Sequence, residues 1–195
     1  MISLPRSSKE PTVVTPPDDT LRRAQAGEPE AFGRLYRWLG PSVLGYFAGR
    51  SAEDPEALTQ EVFLTVFSKL GGVSGGLQGL RTFTFSVAHA RYVDEVRRRA
   101  RAPVLVGYEV EGDTRSSESA EAAALTGFDS GGIPHLLAQL NVEQRNVLLL
   151  RIVAELPIEE VAEILGRSAG SVKQLQRRGL LKLKDIVHLD ESEAP

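Results

Sequence analysis

No cysteine occurs in the 195 residues, which excludes a disulfide framework, a thiolate metal site and a cysteine nucleophile, and leaves a reducing cytosol as the default compartment. Histidine is scarce too. His89, His135 and His188 are scattered, and none pairs with a glutamate at metal-ligand spacing. No glycine-rich phosphate loop follows a strand, so Gly71-Gly72 and Gly75-Gly76 read as a connector. Without a nucleophile, base or metal constellation the chain is not expected to be an enzyme, and no metal or cofactor is expected. Long apolar runs are missing, which argues against a membrane span, and the proline-containing, mixed-charge N-terminus is not expected to be a signal peptide. The expectation is a cytoplasmic protein with no membrane partner. Strand-period alternation, hairpin signals and internal repeats are absent as well.

What is present is helical, and it falls into two blocks. Residues 1–17, with Pro5, Pro11, Pro16 and Pro17, read as a flexible tail. Asp18 and Asp19 offer a helix start, and from there to Arg101 the pattern stays helical, with breaks at Gly27–Pro29, Ser51–Pro55 and Gly71–Gly79. Leu58, Val62, Val66 and Leu70, backed by Phe63 and Phe67, make a core-facing stripe. Between residues 103 and 132 the composition turns acidic: Glu109, Glu111, Asp113, Glu118, Glu121 and Asp129 face a single basic residue, Arg115. That segment reads as a linker. The second block spans residues 133–187, and residues 188–195 read as a frayed tail. The expected fold is all-α, with two small helical domains at 18–102 and 133–187 joined by a flexible acidic linker.

The second domain is expected to contain a helix-turn-helix. Ile158, Val161, Ala162 and Leu165 fall at i, i+3, i+4 and i+7 on a short helix that Pro157 can begin and Gly166 can end. Ser168 then caps a further helix with Val172, Leu175, Gly179 and Leu183 facing inward. Upstream, Asn141 and Gln144 have the spacing of a capping box, starting the third helix that such a motif needs. The outer face of the last helix carries Ser171, Lys173, Gln174, Arg177 and Arg178. Lysine and arginine neutralise phosphates, and arginine and glutamine can pair with guanine and adenine edges, so this face suits a major groove. The formal net charge of −3 does not oppose this, because the charges are segregated.

In the first block, residues 80–101 are aromatic at their start and arginine-rich at their end. Opened DNA needs flat partners for unstacked bases and positive charge for the backbone. Leu80, Phe83 and Val87 have core spacing, so Phe85, Tyr92 and the arginines are favoured as DNA contacts over Phe83.

Gln60-Glu61-Val62-Phe63, Leu80-Arg81-Thr82-Phe83 and Asp94-Glu95-Val96-Arg97-Arg98-Arg99 resemble region 2 of the extracytoplasmic-function sigma factors of bacterial RNA polymerase. Leu148 to Arg151, Ile158 to Gly166 and Gly170-Ser171-Val172-Lys173 are similar to their region 4. The resemblance covers residues 18–101 and 133–187 in the family's order. It implies a transcription initiation factor that binds core RNA polymerase, recognises the −35 and −10 promoter elements and helps melt the DNA. Its clamp-binding residues would be Gln60, Glu61, Leu64 and Thr65. Recognition and melting at −10 would fall to Phe83, Phe85, His89, Arg91, Tyr92, Asp94, Glu95, Arg97, Arg98 and Arg99. The −35 element would be read by Arg167, Ser168, Ser171, Lys173, Gln174, Arg177 and Arg178. The implied partners are core polymerase and promoter DNA, with an anti-sigma factor a candidate third. The sequence departs from the family at Phe83, where tryptophan is usual, at Ala57 and Ala90, and at Leu175-Gln176. The rival reading is a helix-turn-helix regulator acting as a dimer on intact duplex.

Overall fold

In the computed structural model the described residues are 14–101 and 133–193, and every regular element among them is helical. The first set comprises α1 (Thr20–Gln25), α2 (Pro29–Ala48), α3 (Pro55–Ser68), a 3-10 turn (Leu70–Gly72) and α4 (Gly76–Arg101). The second comprises α5 (Ile133–Ala138), α6 (Val142–Leu148), a π turn (Leu149–Val153), α7 (Ile158–Leu165) and α8 (Ala169–Glu193). The expected acidic linker and most of the N-terminal tail lie outside the described residues.

Local chemistry explains the starts. Pro29 and Pro55 occupy first-turn positions, where a missing N–H costs nothing, and the Asp54 carboxylate accepts from the Ala57 amide at 2.8 Å. The expected stripe of α3 is inward: Leu58, Val62, Phe63 and Val66 are buried against Leu35, Leu39 and Val43 of α2 and Leu80 and Phe85 of α4. Edge-on and tilted ring pairs, Phe32 on Phe67 at 5.1 Å and Tyr36 on Phe63 at 4.6 Å, close the α2–α3 seam.

Two boundaries differ from expectation. Helix α4 starts at Gly76, so Gly76 and Gly79 fall in its first turn, while Gly71 and Gly72 belong to the 3-10 turn. Gly79 allows this: a Cβ there would lie 1.8 Å from the Ser74 carbonyl oxygen. At the other end, α8 runs on to Glu193, beyond the expected stop at Val187. No glycine or proline interrupts residues 180–194, so no stop signal exists.

In the second set, Asn141 accepts from the Gln144 amide at 2.8 Å and the Gln144 side chain accepts from the Asn141 amide, completing the expected capping box. After α6 the helix widens by one residue, the Ala154 amide reaching back to the Leu149 carbonyl at 3.0 Å. Helix α7 ends at Gly166 in the left-handed conformation, φ 61°, a geometry that glycine adopts without steric cost. The Ser168 hydroxyl then accepts from the Ser171 amide at 3.2 Å to start α8.

The two sets pack on each other. The end of α2 lies on the π turn and the start of α4 on α7, so the buried apolar residues of both sets run on into a single cluster. Among the described residues no helix is long and apolar enough to cross a membrane.

Candidate nucleic-acid interface

The outer face of α8 is the simplest surface. Lys173, Gln174, Arg177 and Arg178 are all exposed, and their spacing of one, four and five residues puts them on one stripe. Val172 and Gly179 are buried on the opposite side, with Leu175 and Leu183 packed against the core. No carboxylate of a described residue pairs with the three cations. Ser171 is half-buried. Ser168 is exposed but spends its oxygen on the cap, and Arg167 pairs with Glu143 of α6.

Helix α4 divides along its length. Toward its end, Asp94, Arg97, Arg98 and Arg101 line an open groove. Arg97 lies 4.0 Å from Asp94, and both remain two-thirds exposed. Arg99 pairs with Glu95 and lies 3.4 Å from the Glu53 carboxylate. Glu95 itself is 5% exposed and accepts from the Glu53 amide at 3.3 Å. It faces the protein rather than a nucleic acid, because its carboxylate ties α4 to the turn before α3.

Phe85 requires the larger correction. It is fully buried, edge-on to Tyr46 at 5.6 Å, and cannot stack on a base. The Thr84 hydroxyl is returned to the Leu80 carbonyl at 2.8 Å, so this stretch of α4 faces the core. Phe83, favoured less by the sequence, is only partly buried, as is Tyr92. His89 is half-buried, with Nδ1 3.1 Å from the Tyr46 hydroxyl and 3.4 Å from Arg50 Nη1. Burial, followed by the charge of Arg50, pushes its pKa down to about 4, so at neutral pH the ring is uncharged.

On the outer side of α3, Gln60, Glu61 and Leu64 are exposed, Leu64 at 73%. Thr65 is half-buried and accepts from Arg91 Nη2 at 3.1 Å, while Arg91 Nη1 stands 3.9 Å from Glu61. One arginine of α4 thus bridges the two surfaces that the sequence suggested separately.

Four residues to which sequence reasoning assigned no role complete the picture. Arg50, at the end of α2, is buried over the rings of Tyr46 and Tyr92, at 3.9 and 4.4 Å. Arg81 lies over Trp38 at 4.9 Å and reaches Glu155 and the Ala154 carbonyl between the π turn and α7. Glu160 of α7 accepts from Gln78 at 2.9 Å and from Thr82. Glu155 is a non-glycine residue at φ 51°. No periodic signal marks these positions, since each acts across elements distant in the chain.

The profile of the family described as "Sigma-70, region 4" matches residues 136–185, a span from α5 into α8. The chain is 28% identical over 175 residues to the ECF RNA polymerase sigma factor BldN of Streptomyces coelicolor, covering 87% of this chain and 65% of that one. It is 29% identical over 176 residues to the ECF RNA polymerase sigma factor ShbA of Streptomyces griseus, covering 85% and 92%. To the ECF RNA polymerase sigma factor SigD of Mycobacterium tuberculosis it is 26% identical over 179 residues, covering 87% and 83%. The structure of CnrH in complex with the cytosolic domain of CnrY matches with a TM-score of 0.56 at 19% identity, over 88% of this chain and 96% of that chain, a likeness of fold.

Proposed function

The chain belongs to the extracytoplasmic-function sigma factors, and from that premise we propose that it binds bacterial core RNA polymerase and carries it to promoters by reading their −35 and −10 elements and helping to open the DNA. The observation that carries this reading is the exposed stripe of Lys173, Gln174, Arg177 and Arg178, on the second helix of a helix-turn-helix inside the region-4 match. Three of these side chains are cations and the fourth is an amide able to pair with adenine, the composition that major-groove readout requires.

Residues 133–187 would act at −35, with Arg167, Ser168 and Ser171 flanking that stripe. Residues 18–102 would act at −10. There Arg97, Arg98 and Arg101 supply positive charge along α4, and Phe83 and Tyr92 are the rings near the surface. Gln60, Glu61, Leu64 and Thr65 would dock on the polymerase, where an exposed leucine amid polar neighbours fits a protein partner. The factor works by binding, in the cytoplasm where the polymerase is; it carries out no chemistry of its own.

Reconstitution of the purified chain with bacterial core polymerase, followed by sequencing of transcript 5′ ends, tests the reading. Discrete start sites that depend on the chain and share two upstream elements are expected. Tight, sequence-specific duplex binding by the chain alone, with no effect on polymerase, would replace it with a duplex-binding regulator.

A further inference from the structure

Arg50 carries a charge that no carboxylate of a described residue answers. Its residue is 3% exposed, yet Nε and Nη2 meet no acceptor. Nη1 lies 3.4 Å from His89 Nδ1, and the guanidinium rests on the rings of Tyr46 and Tyr92. An arginine does not shed its proton, so the charge persists, and a buried charge without a partner is costly. Burial pulls its pKa down, against the opposing pull of Tyr46 and Tyr92, and the like charge of Arg145 adds to the fall. Such a group calls for an explanation, and a partner met in another state supplies one.

The geometry says what that partner looks like. Nε and Nη2 carry the parallel N–H pair of the guanidinium's side-on fork, which fits two oxygens of one phosphate or carboxylate. The Tyr46 and Tyr92 rings, at 3.9 and 4.4 Å, hold the plane of that fork in place. Tyr92 also belongs to α4, whose last turns carry Arg97, Arg98 and Arg101 exposed to solvent. A polyanion tracking that helix favours phosphate.

The second set of helices packs beside this region. Beside Arg50, Gly49 faces it so closely that a Cβ would lie 2.7 Å from Leu149 Cδ2 and 3.2 Å from Leu137 Cδ1. Elements at −35 and −10 are roughly 25 base pairs apart, on the order of 80 Å along the duplex. Here α4 and α7 touch, Gln78 Nε2 lying 2.9 Å from Glu160. The two sets must part before both can sit on one promoter, and parting removes Leu137 and Leu149 from the end of α2.

We propose that Arg50, held by the Tyr46 and Tyr92 rings, is a receptor for a backbone phosphate of the separated promoter strand, covered while the two helical sets are packed together and uncovered when they part. The assignment rests on the reading of the chain as a promoter-opening factor.

The test uses the full chain bound to core polymerase and a forked promoter DNA with a single-stranded −10 segment, titrated at several KCl concentrations. Arg50→Gln should weaken fork binding about tenfold and lower the slope of log affinity against log salt by about 0.7, the value for one phosphate on a single strand. Arg50→Lys should keep most of the salt slope while losing the fork, and so weaken binding less. Binding to core polymerase should not change. The melting temperature of free Arg50→Gln chain should change little, since the lost contacts with the two rings are offset by removal of a buried charge that has no carboxylate partner. Wild-type fork affinity and salt slope in both variants, with a lowered melting temperature, would make Arg50 a packing residue and overturn the proposal. A wild-type chain that brings no polymerase to the fork would sink the promoter reading itself, and the role of Arg50 with it.

Discussion

His89 and Phe85 show how a single side chain's surroundings decide its chemistry. The His89 ring, half-buried beside Tyr46 and Arg50, has its pKa pushed down to about 4 from 6.5. In the unfolded chain it returns to the ordinary value, so between pH 6.5 and 4 the unfolded state takes up a proton that the folded state refuses. Stability is therefore full above about 6.5 and lost as pH falls through that window, by no more than about 3 kcal/mol and less than that for a ring with partial exposure. Thermal melting of His89→Asn across this range should show a flatter pH dependence than the wild type. An equally steep fall would assign the loss to other groups. Phe85 is a core residue, and Phe85→Ala should cost about 3–5 kcal/mol of folding stability, read as a lowered denaturation midpoint. Tyr92, partly exposed, is the ring for which alanine should instead cost about 1–3 kcal/mol of open-complex stability, read by permanganate reactivity of promoter thymines. The sequence ranked these two rings together because helical spacing distinguishes faces only when the direction of the core is known.

Among the elements, the helix-turn-helix was the most legible, because its signals are local. Pro157, Gly166, Ser168 and the Asn141–Gln144 box act on their own backbone within a few residues, and all four sit where the sequence put them. Gly166→Ala should lower stability by about 1–2 kcal/mol, the cost of a Cβ in the left-handed region, measurable by denaturant unfolding. Arg177→Ala leaves the helix intact. In the holoenzyme it should cost about 1–3 kcal/mol if a base contact is lost, or reduce the salt slope by about one if a phosphate contact is lost. Unchanged promoter binding at every salt concentration would remove Arg177 from the interface. The π turn was not legible: Leu148, Leu149, Leu150, Ile152 and Val153 are all apolar but for Arg151 between them, so one inserted residue leaves no mark on the pattern.

For the whole molecule, the packing of the two sets is held partly by polar contacts at its rim. Arg81, Thr82 and Gln78 of α4 engage Glu155 and Glu160. Glu155 makes its contact from φ 51°, a conformation that costs a non-glycine residue energy. Glu155→Gly removes that strain and the ion pair together. The second set should keep its stability, while the packed arrangement loses about fivefold in population relative to the extended one, the effect of about 1 kcal/mol. Small-angle scattering, or energy transfer between labels on α3 and α8, should report a longer mean distance in the variant. An unchanged distance would mean that the apolar contact of α2 with the π turn holds the halves together alone.

By itself the sequence determined the helices, their caps, the helix-turn-helix and the cationic stripe of α8, because each depends on spacing within one turn or on a neighbour a few residues away. Tertiary structure alone decided that Phe85 and Glu95 face inward, that His89 is neutral, and that Arg50 is buried with Nε and Nη2 unsatisfied. Those properties come from groups far apart in the chain: Tyr46 and His89 are 43 residues apart, Arg81 and Glu155 are 74. Burial and electrostatics are set by everything that surrounds a group, and only the folded chain brings those surroundings together.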